Sequence, residues 1–314
     1  MSLKQEKGNV PAGSSIPFSM QASTVIYEHV KRISRFLKCE YALRYNAFSL
    51  LLSMLEVGQP VSVAELVDYL MLSRNTVLPL LLDAEDRGFV SKADDETDAR
   101  YMMCALTDSG EAFVREACRG VSTMLQETFL SALPASEFEL FSMIDRGLVN
   151  LRGHDVPGFG MDARNGAGRN EEGEFFSSGY FVEWRVLVDQ WKRILRDGCG
   201  LSFDEYRILD VLSGRGSMML SDVAAYLCLQ KSGLSLYKDN LIRLGLVMQR
   251  VDPFDARRMV LRCTPKGVRV ASSARDELDA VTQKAHCGLS ESGEVVLAAW
   301  YTRMHSNLRL SSRK

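Results

Sequence analysis

Apolar residues at Ile26, Val30, Ile33 and Leu37 follow helical spacing, the stripe of an amphipathic helix, and Trp184, Val188, Trp191 and Leu195 repeat it 158 positions later. The same succession of patterns then unfolds twice. "LRYNAFSLLLSML" from Leu43 and "LSFDEYRILDVL" from Leu201 read as second helices at that offset, with Phe48 and Tyr206 at matching places. Beyond the next loop the offset is 157: Leu66 meets Val223, Leu70 meets Leu227, Leu72 meets Leu229 and Gly88 meets Gly245. Each stretch predicts a short helix, a turn and a longer helix that a glycine ends, which is a helix-turn-helix pattern.

A pair of short apolar strands follows in each copy, "FVSKA" with "YMMCAL" and "VMQRV" with "MVLRCT", around polar turns that predict projecting β-hairpins. Asp98 and Asp255, Arg100 and Arg257, Thr107 and Thr264, and Gly110 and Gly267 are each 157 apart. Long helices are expected after both threonines, and a final helix closes each copy near Asn150–Arg152 and Asn307–Arg309. The glycine-rich stretch 153–178 has little apolar periodicity and reads as a flexible linker. The expected organisation is a flexible N-terminal segment (1–20), a first repeat (21–152), the linker (153–178) and a second repeat (179–310).

Composition changes this picture little. A chain of 314 residues, 46% hydrophobic and 25% charged, can build two ordinary globular domains. A net charge of −2 does not announce a nucleic-acid or membrane partner, so such a function must rest on local charge. No stretch has the length and apolarity of a membrane span, and a soluble cytoplasmic protein is expected. Seven cysteines scattered without CxxC spacing favour neither a disulfide framework nor a zinc site. Cys39 and Cys199, in similar loops, are the candidates for a thiol switch. The four histidines (His29, His154, His286, His305) are dispersed, His286 beside Cys287 lacks further spaced ligands, and no phosphate-binding loop or nucleophile elbow occurs. No enzyme activity, cofactor or metal is expected.

The order helix, helix, helix-turn-helix, wing and closing helices resembles the MarR family of bacterial winged-helix regulators, twice over nearly the whole chain. The most specific element is Asp255, Ala256 and Arg257 after Asp252 and Pro253, which matches the family's wing pattern; Asp95, Asp98 and Arg100 match it less completely. "NTVLPLLLDAEDRGFV" also resembles the organic-peroxide-sensing branch, whose reactive first-helix cysteine has no counterpart around Ile26 and Tyr27. The resemblance implies a mainly α fold (α+β winged helix): tandem winged helix-turn-helix domains whose long flanking helices form an intrachain pseudo-dimer, with further self-association left open. It also implies double-stranded DNA as partner and a small-molecule effector, hence a ligand-responsive repressor reading a pseudo-palindromic operator.

Its site residues map onto both copies. Ser73, Arg74, Asn75 and Thr76 open the first recognition helix, before an apolar run from Leu78 to Leu82 that contains Pro79. Gln230, Lys231, Ser232, Ser235, Tyr237 and Lys238 open the second, with groups able to hold phosphates or reach a base edge. The wings place Arg100 and Arg257 for the minor groove, braced by Asp98 and Asp255. Arg250, Arg258 and Arg262 add charge to the second wing against Lys92 alone on the first, so the second half is expected to be the stronger reader. Tyr27, Phe48, Trp184, Trp191 and Tyr206 are candidates to line an effector pocket, or else ordinary core. The competing reading is a ligand-binding or protein-interaction module that kept the fold and lost DNA affinity.

Overall fold

The computed structural model describes residues 18–58, 60–94, 102–131, 177–229, 233–252, 255–286 and 290–311. The first half comprises α1 (Met20–Tyr41), α2 (Tyr45–Val57), β1 (Val61–Ser62), α3 (Val63–Leu70), α4 (Arg74–Asp86), β2 (Val90–Asp94), β3 (Met102–Leu106) and α5 (Asp108–Leu125), which continues as a π-helical turn, Gln126–Leu130. The second comprises α6 (Ser178–Cys199), α7 (Phe203–Arg215), α8 (Leu220–Leu227), α9 (Leu234–Arg243), β4 (Val247–Asp252), β5 (Asp255–Cys263), α10 (Pro265–His286) and α11 (Glu291–Ser311). The order of elements recurs. The helix expected to close the first half lies outside the described residues, as does most of the linker.

Local chemistry sets the boundaries. Ser62 with Glu65 and Ser202 with Glu205 form reciprocal capping boxes that satisfy the first amides of α3 and α7. Ser19 caps α1 through the Ala22 amide at 3.1 Å, and Phe18 is buried edge-on against Trp191 at 5.4 Å, so folded structure begins inside the segment read as flexible. Likewise Ser177 caps α6, and Ser178 is a buried helical residue rather than the end of a linker. Pro79 sits within α4 on its exposed side, where the loss of one amide donor is cheaper than in the buried interior.

The motif of Thr with a glycine three residues on is a junction between wing and closing helix. Thr107 Oγ accepts from the Gly110 amide at 3.1 Å and donates to the Gly88 carbonyl at 2.7 Å. Thr264 accepts from Gly267 at 3.0 Å and donates to Gly245 at 2.8 Å. Gly88 and Gly245 hold φ of 73° and 70°, the left-handed region that ends α4 and α9 without steric cost. Gly110 and Gly267 are required for a different reason: a Cβ on either would fall 2.1 Å from a backbone oxygen, that of Phe89 or Leu246. Each closing helix therefore lies directly on the strand entry.

Both strand pairs form, and a short strand that periodicity did not reveal joins the first. β1 pairs β3 through Val61 and Cys104, giving a three-stranded sheet of order β1-β3-β2, and Met218 bridges Leu261 at the equivalent place beside β4-β5. The long helix expected after Thr107 departs from α geometry at Gln126. The π turn carries Phe129 and Leu130, both buried, and Phe129 packs on His29 with ring centroids 3.6 Å apart.

One continuous core runs from the first winged helix through α1, α2, α5, α6, α10 and α11, while a smaller core lies under the second winged helix. Contacts between the halves are polar as well as apolar. Tyr45 donates to the Phe181 carbonyl at 2.9 Å, Glu56 accepts from the Ser178 amide at 2.7 Å, and Asn307 donates to the Thr128 carbonyl at 3.2 Å. Tyr27 of α1 packs on Phe203 of α7 at 4.7 Å, and within the second half the indole of Trp191 lies parallel to that same Phe203 ring at 5.4 Å.

Candidate nucleic-acid interface

Each helix-turn-helix is built to present its second helix. Val77, Leu80, Leu81 and Ala84 bury one face of α4, and Leu234 and Leu241 anchor α9, leaving the opposite faces open. On α4, Ser73, Arg74 and Asn75 are exposed and Thr76 is half-buried, its hydroxyl 2.9 Å from that of Ser73. The same face carries Pro79, Leu82 at 52% exposure, and the exposed carboxylates Asp83 and Asp86. Much of the leucine run is thus core, as the spacing allows, but the solvent face is apolar and acidic beyond its first turn.

On α9, Ser235 is exposed, while Gln230, Lys231 and Ser232 lie outside the described residues. Lys238 pairs with Asp239 at 3.1 Å. Tyr237 turns inward and donates to Asp204 of α7 at 3.4 Å; burial and that carboxylate raise its pKa. Asn240 donates to Glu205 at 2.5 Å, so α9 is fastened to the start of α7 through two side chains. A cleft of about 520 Å³ opens beside them, lined by Glu205, Leu236, Asp239 and Arg243 among others.

The wings differ in charge available to solvent. Arg250, Arg258 and Arg262 are exposed on the second wing, whose strands also expose the cross-strand pair Val251 and Met259. Asp255 pairs with Arg258 at 3.0 Å. Arg257 lies in β5, with its side chain outside the described residues, as are Asp98 and Arg100. Lys92, the first wing's described cation, is held by Glu85 of α4. Its charge is therefore neutralised locally.

The aromatic residues grouped as pocket candidates divide between separate clusters. Tyr27, Trp191 and Tyr206 gather around Phe18 and Phe203, Phe48 packs edge-on against Phe181 at 5.1 Å, and Trp184 lies among His29, Tyr180 and Tyr301. Phe48, Trp191 and Tyr206 are fully buried, and each fills core. Sequence reasoning missed a further set, the buried ions Glu28, Arg185, Asp204 and Arg207. Arg207 is 0% exposed and pairs with Asp204 at 2.8 Å and Glu28 at 3.6 Å. A burial pattern was the signal available: Arg207 falls on the apolar side of α7, between Tyr206 and Ile208.

Among the described residues no helix is long and apolar enough to cross a membrane, and no group of acidic, histidine and cysteine side chains has metal-binding geometry. Cys39 is exposed; Cys199 is half-buried with its Sγ 3.2 Å from the Leu195 carbonyl, and burial raises its pKa, which disfavours the reactive thiolate.

No family model matches the chain. Over 85 residues it is 29% identical to the HTH-type transcriptional regulator SarZ of Staphylococcus aureus (strain USA300), covering 27% of this chain and 56% of that protein. The chain thus spans about half the length of the curated relatives it matches. Among solved structures, it is similar to the transcriptional regulator SlyA (19% identity, 42% of this chain and 92% of that one, TM-score 0.38). It is also similar to a mutant MarR from E. coli (18% identity, 42% and 96%, TM-score 0.37). What the comparisons establish is a stretch of similarity to a helix-turn-helix transcriptional regulator, on a mainly helical chain with two winged hairpins.

Proposed function

We propose that the chain is a MarR-type, DNA-binding transcriptional regulator whose two winged helices act as an intrachain pseudo-dimer on a pseudo-palindromic operator, most simply as a repressor. The observation that carries this reading is the second wing: three exposed arginines beside a helix-turn-helix whose second helix has an open face. Such a hairpin suits a narrow, negative minor groove, while the adjoining helix fits the major groove. Two such heads need a separation of about one DNA turn, roughly 34–36 Å, and a covalent chain supplies both without bimolecular assembly. Ser73, Arg74, Asn75, Thr76 and Arg100 from the first half, and Gln230, Lys231, Ser232, Ser235, Lys238, Arg250, Arg257 and Arg258 from the second, are the proposed contacts. Lys238 and Arg258 already pair with Asp239 and Asp255, so their DNA contacts require exchange of an ion pair.

A small-molecule effector belongs to the same reading: a ligand that binds one arrangement of the halves better shifts the population by its differential affinity. One specific observation favours a second reading, a protein-interaction role for the first half. The open face of α4 combines Pro79 and Leu82 with Asp83 and Asp86, and the one described wing lysine is paired. Selection of bound fragments from a genomic library, followed by affinities across a salt series for wild type, Arg257→Ala and Arg100→Ala, tests the reading. A recurrent site, a steep salt slope and a larger loss for Arg257→Ala support it. No enrichment at low salt refutes DNA regulation, and equal losses refute the asymmetry.

A further inference from the structure

Helices α3 and α8, the first of each helix-turn-helix, end at equivalent residues, Leu70 and Leu227, 157 apart. Each is followed by a non-glycine residue in the left-handed region, Met71 at φ 49° and Cys228 at φ 55°. The last carbonyls of a helix have no partner within it and carry the negative end of its dipole. Both of these carbonyls accept a hydrogen bond from a buried guanidinium. Arg185 Nη2 donates to Leu70 O, and Arg207 Nη2 donates to Leu227 O.

The two arginines are not equivalent to one another. Arg185 lies on α6, the first helix of the second half, and reaches across to the first half's turn. Arg207 lies on α7 and also donates to Thr24 at 3.2 Å and pairs with Glu28 at 3.6 Å, both on α1 of the first half. At the positions 158 residues earlier stand Tyr27 and Ser49, neither of which can repeat the contact. Tyr27 instead packs under the Arg207 guanidinium, 5.4 Å from its ring. A symmetric homodimer must make the same contact at both ends, whereas one chain can close each end with a different residue.

We infer that Arg185 and Arg207 are positioning residues: two unlike latches that tie the turn of each helix-turn-helix to the first helix of the opposite half and so fix the separation of α4 and α9. Arg185 is 7% exposed and Arg207 0%, and the cost of burying each guanidinium is offset through its two terminal nitrogens, the Nε of each being buried without a hydrogen-bond partner. The fork is what makes the device bridge rather than merely neutralise. Arg207 spends one nitrogen on the helix end and the Thr24 hydroxyl, and the other on carboxylates of both halves, a division that a lysine ammonium cannot reproduce. The restraint itself stands on these contacts; its consequence for operator spacing rests on the function proposed above.

The test is a distance measurement on the full chain without DNA. Spin labels at Asp83→Cys and Ser235→Cys, in a background with Cys39, Cys199 and Cys287 replaced by serine, report the separation of α4 and α9. The latched protein gives one narrow distribution. Arg185→Met and Arg207→Met each broaden or shift it, with helical content retained by circular dichroism. A lowered melting temperature with an unchanged distribution overturns the inference, because it assigns the arginines to stability alone. Should the methionine variants fail to fold, Arg185→Lys and Arg207→Lys decide: broadening supports the fork-dependent latch and the wild-type width overturns it. In parallel, selection from DNA with randomised half-site spacing yields one spacing for wild type and several for the variants. If wild type selects no DNA, the regulator reading fails while the distance result still decides the latch.

Discussion

Replacing Gly267 by alanine tests how the closing helices are seated. A Cβ at this position would lie 2.1 Å from the Leu246 carbonyl oxygen and 2.7 Å from Cys263 Sγ. An ordinary carbon–oxygen contact is well over 3 Å, so α10 or the β4 entry has to move by about 1 Å. The obstacle is backbone, which also receives the Thr264 amide at 2.9 Å, so it cannot rotate away as a side chain would. Overpacking typically costs about 1–3 kcal/mol, and a backbone clash belongs at the upper end of that range. Gly110→Ala meets the Phe89 carbonyl oxygen at the same 2.1 Å and should cost a similar amount. Gly214→Ala is the control: it lies inside α7 with nothing within 4 Å of the added methyl. It should stabilise by about 0.5–1 kcal/mol through helix propensity. Urea unfolding followed by circular dichroism reads all three, with similar m-values expected. Wild-type stability for Gly267→Ala, or loss of stability for Gly214→Ala, would refute the packing argument.

Thr264→Ala removes both the cap on Gly267 and the bond to Gly245, and should lower stability by about 1–2 kcal/mol in the same assay; a neutral result would show that water replaces the hydroxyl. Acid should destabilise the fold early. Burial holds His29 down to about 3 and His305 down to about 4, and also lowers His286, so the unfolded chain binds more protons below an ordinary histidine value of about 6.5. Their contribution is complete above about pH 6.5 and is lost as pH falls toward about 4 and 3, and constant unfolding free energy between pH 7 and pH 5 would contradict it. In DNA-binding titrations, Arg250→Ala and Arg262→Ala should each flatten the logarithmic salt slope by about 0.9 if each arginine neutralises a phosphate. Lys92→Ala should leave that slope unchanged, since Glu85 already neutralises the ammonium; an equal change from Lys92 would remove the basis for asymmetry between the wings.

Periodicity located the described helices and all four hairpin strands because their burial faces are largely continuous: Ile26, Ile33 and Leu37 of the first stripe are buried with Val30 half-buried, and Trp184, Val188, Trp191 and Leu195 of the second are all buried. The short β1 strand was illegible because two residues carry no period, and its pairing with Cys104 and Met103 is a long-range contact. The π turn at Gln126 was equally hidden, since nothing in its local composition differs from an α-helix and its geometry suits packing of Phe129 on His29. Arg74, Asn75 and Ser235 are exposed in the first turns of α4 and α9. Tyr237, Lys238 and Lys92 look equally available in sequence, and structure gives each a partner.

By itself, the sequence determined the doubled order of elements, the hairpin positions and the recurrent Thr and Gly pairs, because each depends on hydrophobic period, capping chemistry or backbone steric limits within a few residues. Tertiary structure alone decided which charges stay available to a partner and which are consumed. It also decided that unlike arginines close equivalent helix ends, Arg185 at Leu70 and Arg207 at Leu227. Those outcomes depend on which distant groups meet once the halves share a core, and an arginine's local sequence does not distinguish a solvated head from a buried fork whose partners lie across the chain.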